Sequence, residues 1–235
     1  MMDKIIKTGI FGGTFDPIHS GHLILAESAC DRFGLDKVLF MPAPDPYHRT
    51  DKHVTELTHR INMVKLAISG NPRFEFSDFE LNLDGPTYTV NTLTEYNKAY
   101  PNEELYLIIG GDSLFSIENW KDPEQIFKLC SIVTSKREGE VRGASGSCLA
   151  ESHFIDKDND GINDLLQADS LQSEFMIQVH FLKEKYNARI LDAATPNIEI
   201  SSSSIISRIH EGKSIRYLVP DHVREYIYQS GCYKE

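Results

Sequence analysis

Two adjacent glycines at the end of an apolar run constrain this chain more than any other feature. Residues 5–11 are apolar and β-branched, and they lead into Gly12-Gly13 and then Pro17. That pattern predicts a short buried strand that breaks sharply. A helix is expected next, because Leu23, Ala26, Ala29, Cys30 and Phe33 recur on one side and Gly34 supplies a stop. The alternation repeats along the chain. Strands are expected at 37–41, 74–76, 105–109, 132–134 and 189–191, and helices at 55–68, 88–100, 171–186, 201–210 and 221–228. Strands that alternate with helices and end in Gly or Pro predict an α/β fold, a doubly wound parallel sheet with a small helical C-terminal portion. The 235 residues suit a single domain spanning 1–235, with an insertion at 138–170, where the pattern loosens, and C-terminal helices within 201–229. In such folds ligands bind at the carboxyl ends of the strands, where the unusual residues of this chain gather.

Charge narrows the partners. The chain carries 24 Lys+Arg against 35 Asp+Glu, a formal net charge of −11. An acidic protein is a poor candidate for nucleic acid or an anionic membrane surface, both of which call for a basic face. The excess acid is concentrated: residues 75–104 hold seven acids and one base, and residues 151–170 hold six acids and one base, which together account for the whole −11. The first glycine loop lies in the formally neutral remainder, so the net charge says little against binding phosphates there. Cys30, Cys130, Cys148 and Cys232 are widely spaced, with no C-x-x-C pair, and read as reduced thiols of a cytoplasmic protein. No signal peptide is expected at the N-terminus, and no apolar stretch reaches the ~18 residues of a membrane helix.

The chemistry gathers at Gly12-Gly13-Thr14-Phe15-Asp16-Pro17-Ile18-His19-Ser20-Gly21-His22-Leu23. Glycines after a strand let backbone N–H groups approach a phosphate, and the start of the next helix offers further donors and its dipole. His19 and His22 stand three residues apart at that helix start, where both rings can reach one face. Such imidazoles can donate hydrogen bonds to a phosphoryl group as charge builds; a metal-binding pair or two unrelated surface histidines are the plainer alternatives. Ser201, Ser202 and Ser203 precede the apolar residues Ile205, Ile206 and Ile209, as helix-capping residues would. Trp120, the only tryptophan, is either a core anchor or a platform for a flat ring. Asp112, after the apolar run 105–109, is placed either for a ribose hydroxyl or to cap the next segment.

The H-x-G-H core of this loop resembles the signature of the nucleotidyltransferases related to class I aminoacyl-tRNA synthetases. In its full form, G-G-T-F-D-P-I-H-x-G-H-L, it is similar to that of the bacterial nicotinate-nucleotide adenylyltransferase family. The resemblance continues in order through Pro42-Ala43-Pro44-Asp45-Pro46-Tyr47-His48-Arg49, Gly85-Pro86-Thr87-Tyr88-Thr89-Val90-Asn91-Thr92-Leu93, Ile109-Gly110-Gly111-Asp112-Ser113-Leu114 with Trp120, Ile200-Ser201-Ser202-Ser203, and Arg216-Tyr217-Leu218-Val219-Pro220. It covers most of residues 4–137 and 189–229. The chain departs from the family pattern at Ile206, where an Arg is usual, at Asn91 in place of Asp, at Arg137-Glu138-Gly139 in place of R-P-G, and at 81–84, which lacks a base.

The resemblance implies a Rossmann-like fold and adenylyl transfer from ATP to nicotinate mononucleotide, giving deamido-NAD and pyrophosphate. It implies ATP contacts from Gly12, Gly13, Thr14, His19, His22, Asp112, Ser201, Ser202, Ser203 and Arg208, with His19 and His22 catalytic. It implies acceptor contacts from His48, Arg49, Tyr88, Thr89, Trp120 and Arg137, with the tryptophan stacked on the pyridine. Mg²⁺ is expected with ATP, held mostly by water. Adenylyl or cytidylyl transfer to another phosphorylated acceptor (nicotinamide mononucleotide, phosphopantetheine or a CTP-dependent phospho-alcohol) remains an alternative, as does a nucleotide-binding regulator without catalysis, and a homo-oligomer is left open. Asp156, Asp158, Asp160 and Asp164 follow the spacing of a calcium loop, but position twelve is Gln167. A solvated acidic loop is therefore preferred over weak calcium binding.

Overall fold

A computed structural model describes residues 4–44, 54–83, 85–135, 170–196 and 198–234. Six strands form one sheet: β1 (Ile6–Gly13), β2 (Lys37–Pro42), β3 (Phe74–Phe76), β4 (Glu103–Ile108), β5 (Ser131–Thr134) and β6 (Ile190–Asp192). Every pairing is parallel and the order is β3-β2-β1-β4-β5-β6. The chain winds outward from β1 in one direction and then returns to wind outward in the other. The crevice at this reversal opens between the ends of β1 and β4.

Side chains alternate across each strand and so build two cores. Phe11, Val38, Phe40, Tyr106 and Ile108 face one layer, while Ile10, Leu39, Met41, Leu105 and Leu107 face the other. The first layer is covered by α1 (Ser20–Phe33), α2 (Leu57–Ile68), α7 (Ser202–His210) and α8 (Asp221–Ser230). The second is covered by α3 (Thr89–Ala99), α4 (Gly111–Ser116), α5 (Pro123–Leu129) and α6 (Ser170–Tyr186). The C-terminal helices are thus a working part of one layer, with Ile205, Val223 and Ile227 at most 2% exposed. A β-carbon on Gly9 would lie 2.9 Å from Val38 Cγ2 and 3.1 Å from Ile108 Cδ1, so the first layer packs directly on the backbone of β1.

Expected and observed elements agree in order and type, with ends shifted by one or two residues. α1 stops where expected, at Gly34, whose left-handed backbone (φ 65°) turns the Leu35 N–H back onto the Cys30 carbonyl at 3.1 Å. α4 and α5 were not anticipated from periodicity, being only six and seven residues long. A short 3-10 turn, Phe79–Asn82, is likewise new. Residues 138–169, which include the calcium-like loop and most of the expected insertion, lie outside the described residues. No helix among the described residues is long and apolar enough to cross a membrane.

Candidate active site

A cavity of about 420 Å³ occupies the reversal point of the sheet. Its walls include Gly12, Gly13, Thr14 and Phe15 after β1, His19, Gly21 and His22 of α1, Gly110, Gly111 and Asp112 after β4, and Ser201 and Ser202 at the start of α7. Across the sheet plane it is lined by Glu80, Thr87, Thr89, Thr92 and Trp120.

The two histidines are held by local packing. His19 is 3% exposed, and its ring stacks on that of His22 with centroids 3.7 Å apart and planes 24° apart. Phe11 and Phe15 meet the His22 ring edge-on, with centroids 5.7 and 5.2 Å away. The His19 N–H donates to His22 Nδ1 at 3.2 Å. A neutral ring accepting at Nδ1 carries its proton on Nε2, which leaves Nε2–H as the donor end of His22. Gly21 leaves room for the His19 ring: a β-carbon there would stand 3.1 Å from His19 Nδ1 and 3.2 Å from its Cε1, tight enough that the ring would have to shift by a few tenths of an ångström.

The C-terminal third of the chain grips this loop from behind. The Ser202 hydroxyl donates to the Pro17 carbonyl at 2.9 Å. The Ser20 N–H donates to the Leu218 carbonyl at 2.8 Å, and its hydroxyl to that of Tyr217 at 3.0 Å. Asp16, 1% exposed, accepts from the Tyr233 hydroxyl at 2.6 Å and from the Thr55 N–H at 3.1 Å. Burial, together with the Asp16 charge, pushes the Tyr233 hydroxyl far above the usual phenol range, so it remains a donor. Asp16, Arg60 and Tyr233 escaped the sequence reading, because nothing local marks partners as far apart as 16 and 233.

Most of the residues expected at the site converge. Gly12, Gly13, Thr14, His19, His22, Thr89, Asp112, Trp120, Ser201 and Ser202 all line the one cavity. Asp112 lies in the first turn of α4, whose N-cap is Gly110, so the capping alternative is not the one adopted. Trp120 is only partly buried. Ser201 is the N-cap of α7, its hydroxyl accepting the Ser204 N–H at 3.2 Å. Ser203, Arg208 and Tyr88 are not in the cavity wall. Ser203 is exposed, Arg208 Nε donates to the Ser214 carbonyl at 2.9 Å, and the Tyr88 ring carries Lys121 Nζ 4.6 Å from its centroid. Ile206, in place of the family's Arg, packs against the first core. His48, Arg49 and Arg137 lie outside the described residues, as do Asp156, Asp158, Asp160 and Asp164.

Glu80 is an unforeseen acid in the wall. It is 8% exposed and accepts from the Thr92 hydroxyl at 2.8 Å. Burial raises its pKa, and the Thr92 hydrogen bond offsets only part of that rise. Among the described residues no cluster of three or more His, Cys, Asp or Glu could hold a metal ion. Nor does any Lys or Arg line the described part of the cavity.

This arrangement, backbone donors and paired imidazoles at the reversal point of a 3-2-1-4-5-6 sheet, is that of a nucleotidyltransferase. The chain belongs to the cytidylyltransferase-like family, whose sequence profile matches residues 10–208. Within it the chain belongs with the nicotinate-nucleotide adenylyltransferases. It is 39% identical over 227 residues to a protein of Lachnoclostridium phytofermentans described as a probable nicotinate-nucleotide adenylyltransferase, covering 97% of this chain and 98% of that one. A protein of the same description from Dehalococcoides mccartyi is 37% identical over 229 residues, 97% of each chain. The fold matches that of Plasmodium falciparum nicotinic acid mononucleotide adenylyltransferase complexed with NaAD, with a TM-score of 0.67, 18% identity and 97% of each chain covered.

Proposed function

We propose that this protein transfers the adenylyl group of ATP to nicotinate mononucleotide, forming deamido-NAD and pyrophosphate in NAD biosynthesis. The observation that carries this reading is the single cavity that joins the His19–His22 pair to Trp120 and Thr89. The acceptor phosphate oxygen attacks the α-phosphorus, the new O–P bond forms, and the bond to the β-phosphate oxygen breaks with pyrophosphate leaving in line. A phosphate oxygen is already ionised near neutral pH, so no general base is needed. The protein supplies placement and charge neutralisation.

In this reading His22 Nε2–H and His19 donate to the α-phosphate, alongside the backbone of Gly12, Gly13 and Thr14. The start of α7, with Ser201 and Ser202, faces the departing pyrophosphate, and Asp112 takes a ribose hydroxyl. Ser203 and Arg208 would join from the same helix only after a side-chain movement. Trp120 stacks on the pyridine, and Thr89 and Tyr88 complete that end. Because the described wall holds no Lys or Arg, positive charge is assigned to His48, Arg49 and Arg137 and to Mg²⁺. Mg²⁺ accompanying ATP would add positive charge against the phosphate chain. ATP as substrate accords with the cytoplasmic location expected from the cysteines.

The deciding experiment is an acceptor panel with ATP and Mg²⁺: nicotinate mononucleotide, nicotinamide mononucleotide and phosphopantetheine. Nicotinate mononucleotide should give the highest kcat/KM, with one pyrophosphate released per dinucleotide formed. Preference for another acceptor would overturn the assignment of substrate, and the absence of pyrophosphate with every acceptor would overturn catalysis itself.

A further inference from the structure

Arg60 lies on the inward face of α2 and is 1% exposed, an unusual place for a guanidinium. It is spread over backbone carbonyls. Its Nε donates to Thr55 at 3.0 Å, its Nη1 to Thr14 at 3.0 Å and to Ala43 at 2.8 Å, and its Nη2 to Pro44 at 3.3 Å. Three of these carbonyls belong to the two strand ends that open on the cavity: Thr14 follows β1, and Ala43 and Pro44 follow β2. The same two ends are stitched together where the Ala43 N–H donates to the Gly13 carbonyl at 2.9 Å.

The planarity of the peptide bond turns these contacts into a statement about donors. In a trans peptide the C=O and the following N–H point in opposite directions. With the Gly13 carbonyl held by Ala43 and the Thr14 carbonyl held by Arg60, the N–H groups of Thr14 and Phe15 are turned the other way. Both residues line the cavity. Two successive N–H groups on one side of a turn make an anion-binding concavity. Phe15 also sits at φ 49°, a left-handed conformation that is sterically disfavoured for a non-glycine residue. Something must hold the peptide that precedes it, and Arg60 is bonded to it.

We propose that Arg60 is a positioning residue for adenylyl transfer: by fixing the Thr14 carbonyl it aims the Phe15 N–H at the phosphate chain of ATP, and by holding the Ala43 and Pro44 carbonyls it steadies the strand end whose Ala43 N–H fixes the Gly13 carbonyl and so turns the Thr14 N–H the same way. A monodentate cation cannot replace it, because the contacts use Nε and both terminal nitrogens at once. The inference rests on the proposed nucleotidyl transfer but does not depend on which acceptor is used.

The test compares Arg60→Lys and Arg60→Met with the parent protein. Both keep an aliphatic stem of similar length, so packing alone would leave the kinetics of the folded fraction unchanged. Kcat is expected to fall ten- to a hundredfold in both, with lysine failing to rescue methionine, and affinity for the non-hydrolysable α,β-methylene-ATP is expected to fall at least tenfold by calorimetry. Lysine at parental kcat and parental nucleotide affinity would overturn the proposal. Should the parent prove inactive on nicotinate mononucleotide, the substrate reading fails while the calorimetric comparison still decides the role of Arg60. Should both variants fail to fold, the parent itself gives the answer: the backbone amide signals of Thr14 and Phe15 and the Arg60 Nε–H signal in nitrogen-15 spectra are expected to shift on adding the analogue. Unmoved signals from these three groups would overturn the proposal.

Discussion

Replacing Gly21 by alanine separates catalysis from stability in a way the geometry makes quantitative. The new β-carbon would lie 3.1 Å from His19 Nδ1 and 3.2 Å from Cε1, so the ring must yield by a few tenths of an ångström. It has little room, since His19 is 3% exposed and stacks at 3.7 Å on His22, itself wedged against Phe11 and Phe15. A misplacement of about 1 Å at a reacting centre costs about a hundredfold, and a shift of part of that should lower kcat about ten- to fiftyfold. Stability follows a separate balance. Overpacking costs roughly 1–3 kcal/mol, while alanine in place of glycine inside a helix returns up to about 1 kcal/mol. The net loss should be about 0–3 kcal/mol, a fall in Tm of at most about 10 °C. The assay is steady-state pyrophosphate release beside a thermal melt, with Gly70→Ala as control, because a β-carbon at Gly70 meets nothing within 4 Å. If Gly21→Ala kept kcat within twofold of the parent, the argument that this glycine exists to let the histidines stack would be refuted.

Removing the imidazole in His22→Ala should lower kcat about a hundredfold or more, as for loss of one donor to a developing charge, and near-parental turnover would reject its assignment. Trp120→Ala should raise KM for the pyridine nucleotide about tenfold, since stacking contributes about 1–3 kcal/mol, while KM for ATP changes little; equal effects on both substrates would remove the tryptophan from the pyridine end. At the amino end of the central strand β4, burial alone would raise the pKa of Glu103, but hydrogen bonds from Thr8, Lys37 and Tyr96 outweigh it and the pKa is lowered. A lowered folded pKa contributes stability above the ordinary carboxylate range that disappears as pH falls through the folded value. Urea melts of Glu103→Gln should therefore show a deficit of about 1–3 kcal/mol at pH 7 that shrinks in more acidic buffer; a deficit independent of pH would contradict this. Glu80 has the opposite sign, its folded pKa being raised, so it loses stability as pH climbs from the unfolded toward the folded value. Glu80→Gln keeps an oxygen for Thr92 and should melt a few degrees higher than the parent at pH 7.5 and no higher in acid buffer; a lower Tm at pH 7.5 would count against the buried carboxylate reading.

What the sequence discloses and what it hides divide along a physical line. The strands of this sheet are buried on both faces, so 105–109 reads as a continuous apolar run, and β1 and β2 stop at glycines or prolines that a parallel sheet needs at its carboxyl edge. α1 and α2 are long enough to show a period, whereas α4 and α5, at six and seven residues, complete fewer than two turns and leave no such trace. The His-x-Gly-His loop was legible because its residues line the cavity from nearly consecutive positions. Its supports were not, because Arg60, Thr55, Ser202, Leu218 and Tyr233 reach it from three other parts of the chain.

That asymmetry bears on the serines, which the sequence lets one read as helix caps or as phosphate contacts; the capping is seen at Ser201, and the phosphate contact is part of the proposal. Ser201 caps α7, and its neighbour Ser202 spends its hydroxyl on the Pro17 carbonyl, yet both line the cavity. A helix start that is already capped and already tied to the opposite loop keeps its remaining N–H groups in place before an anion arrives. Preorganisation of this kind reduces what binding must otherwise spend on ordering the site. The C-terminal helices therefore do more than finish the first core. They fix the distance between two ends of the cavity, the histidine loop and the start of α7, and on the proposed reading that distance is what an in-line displacement demands.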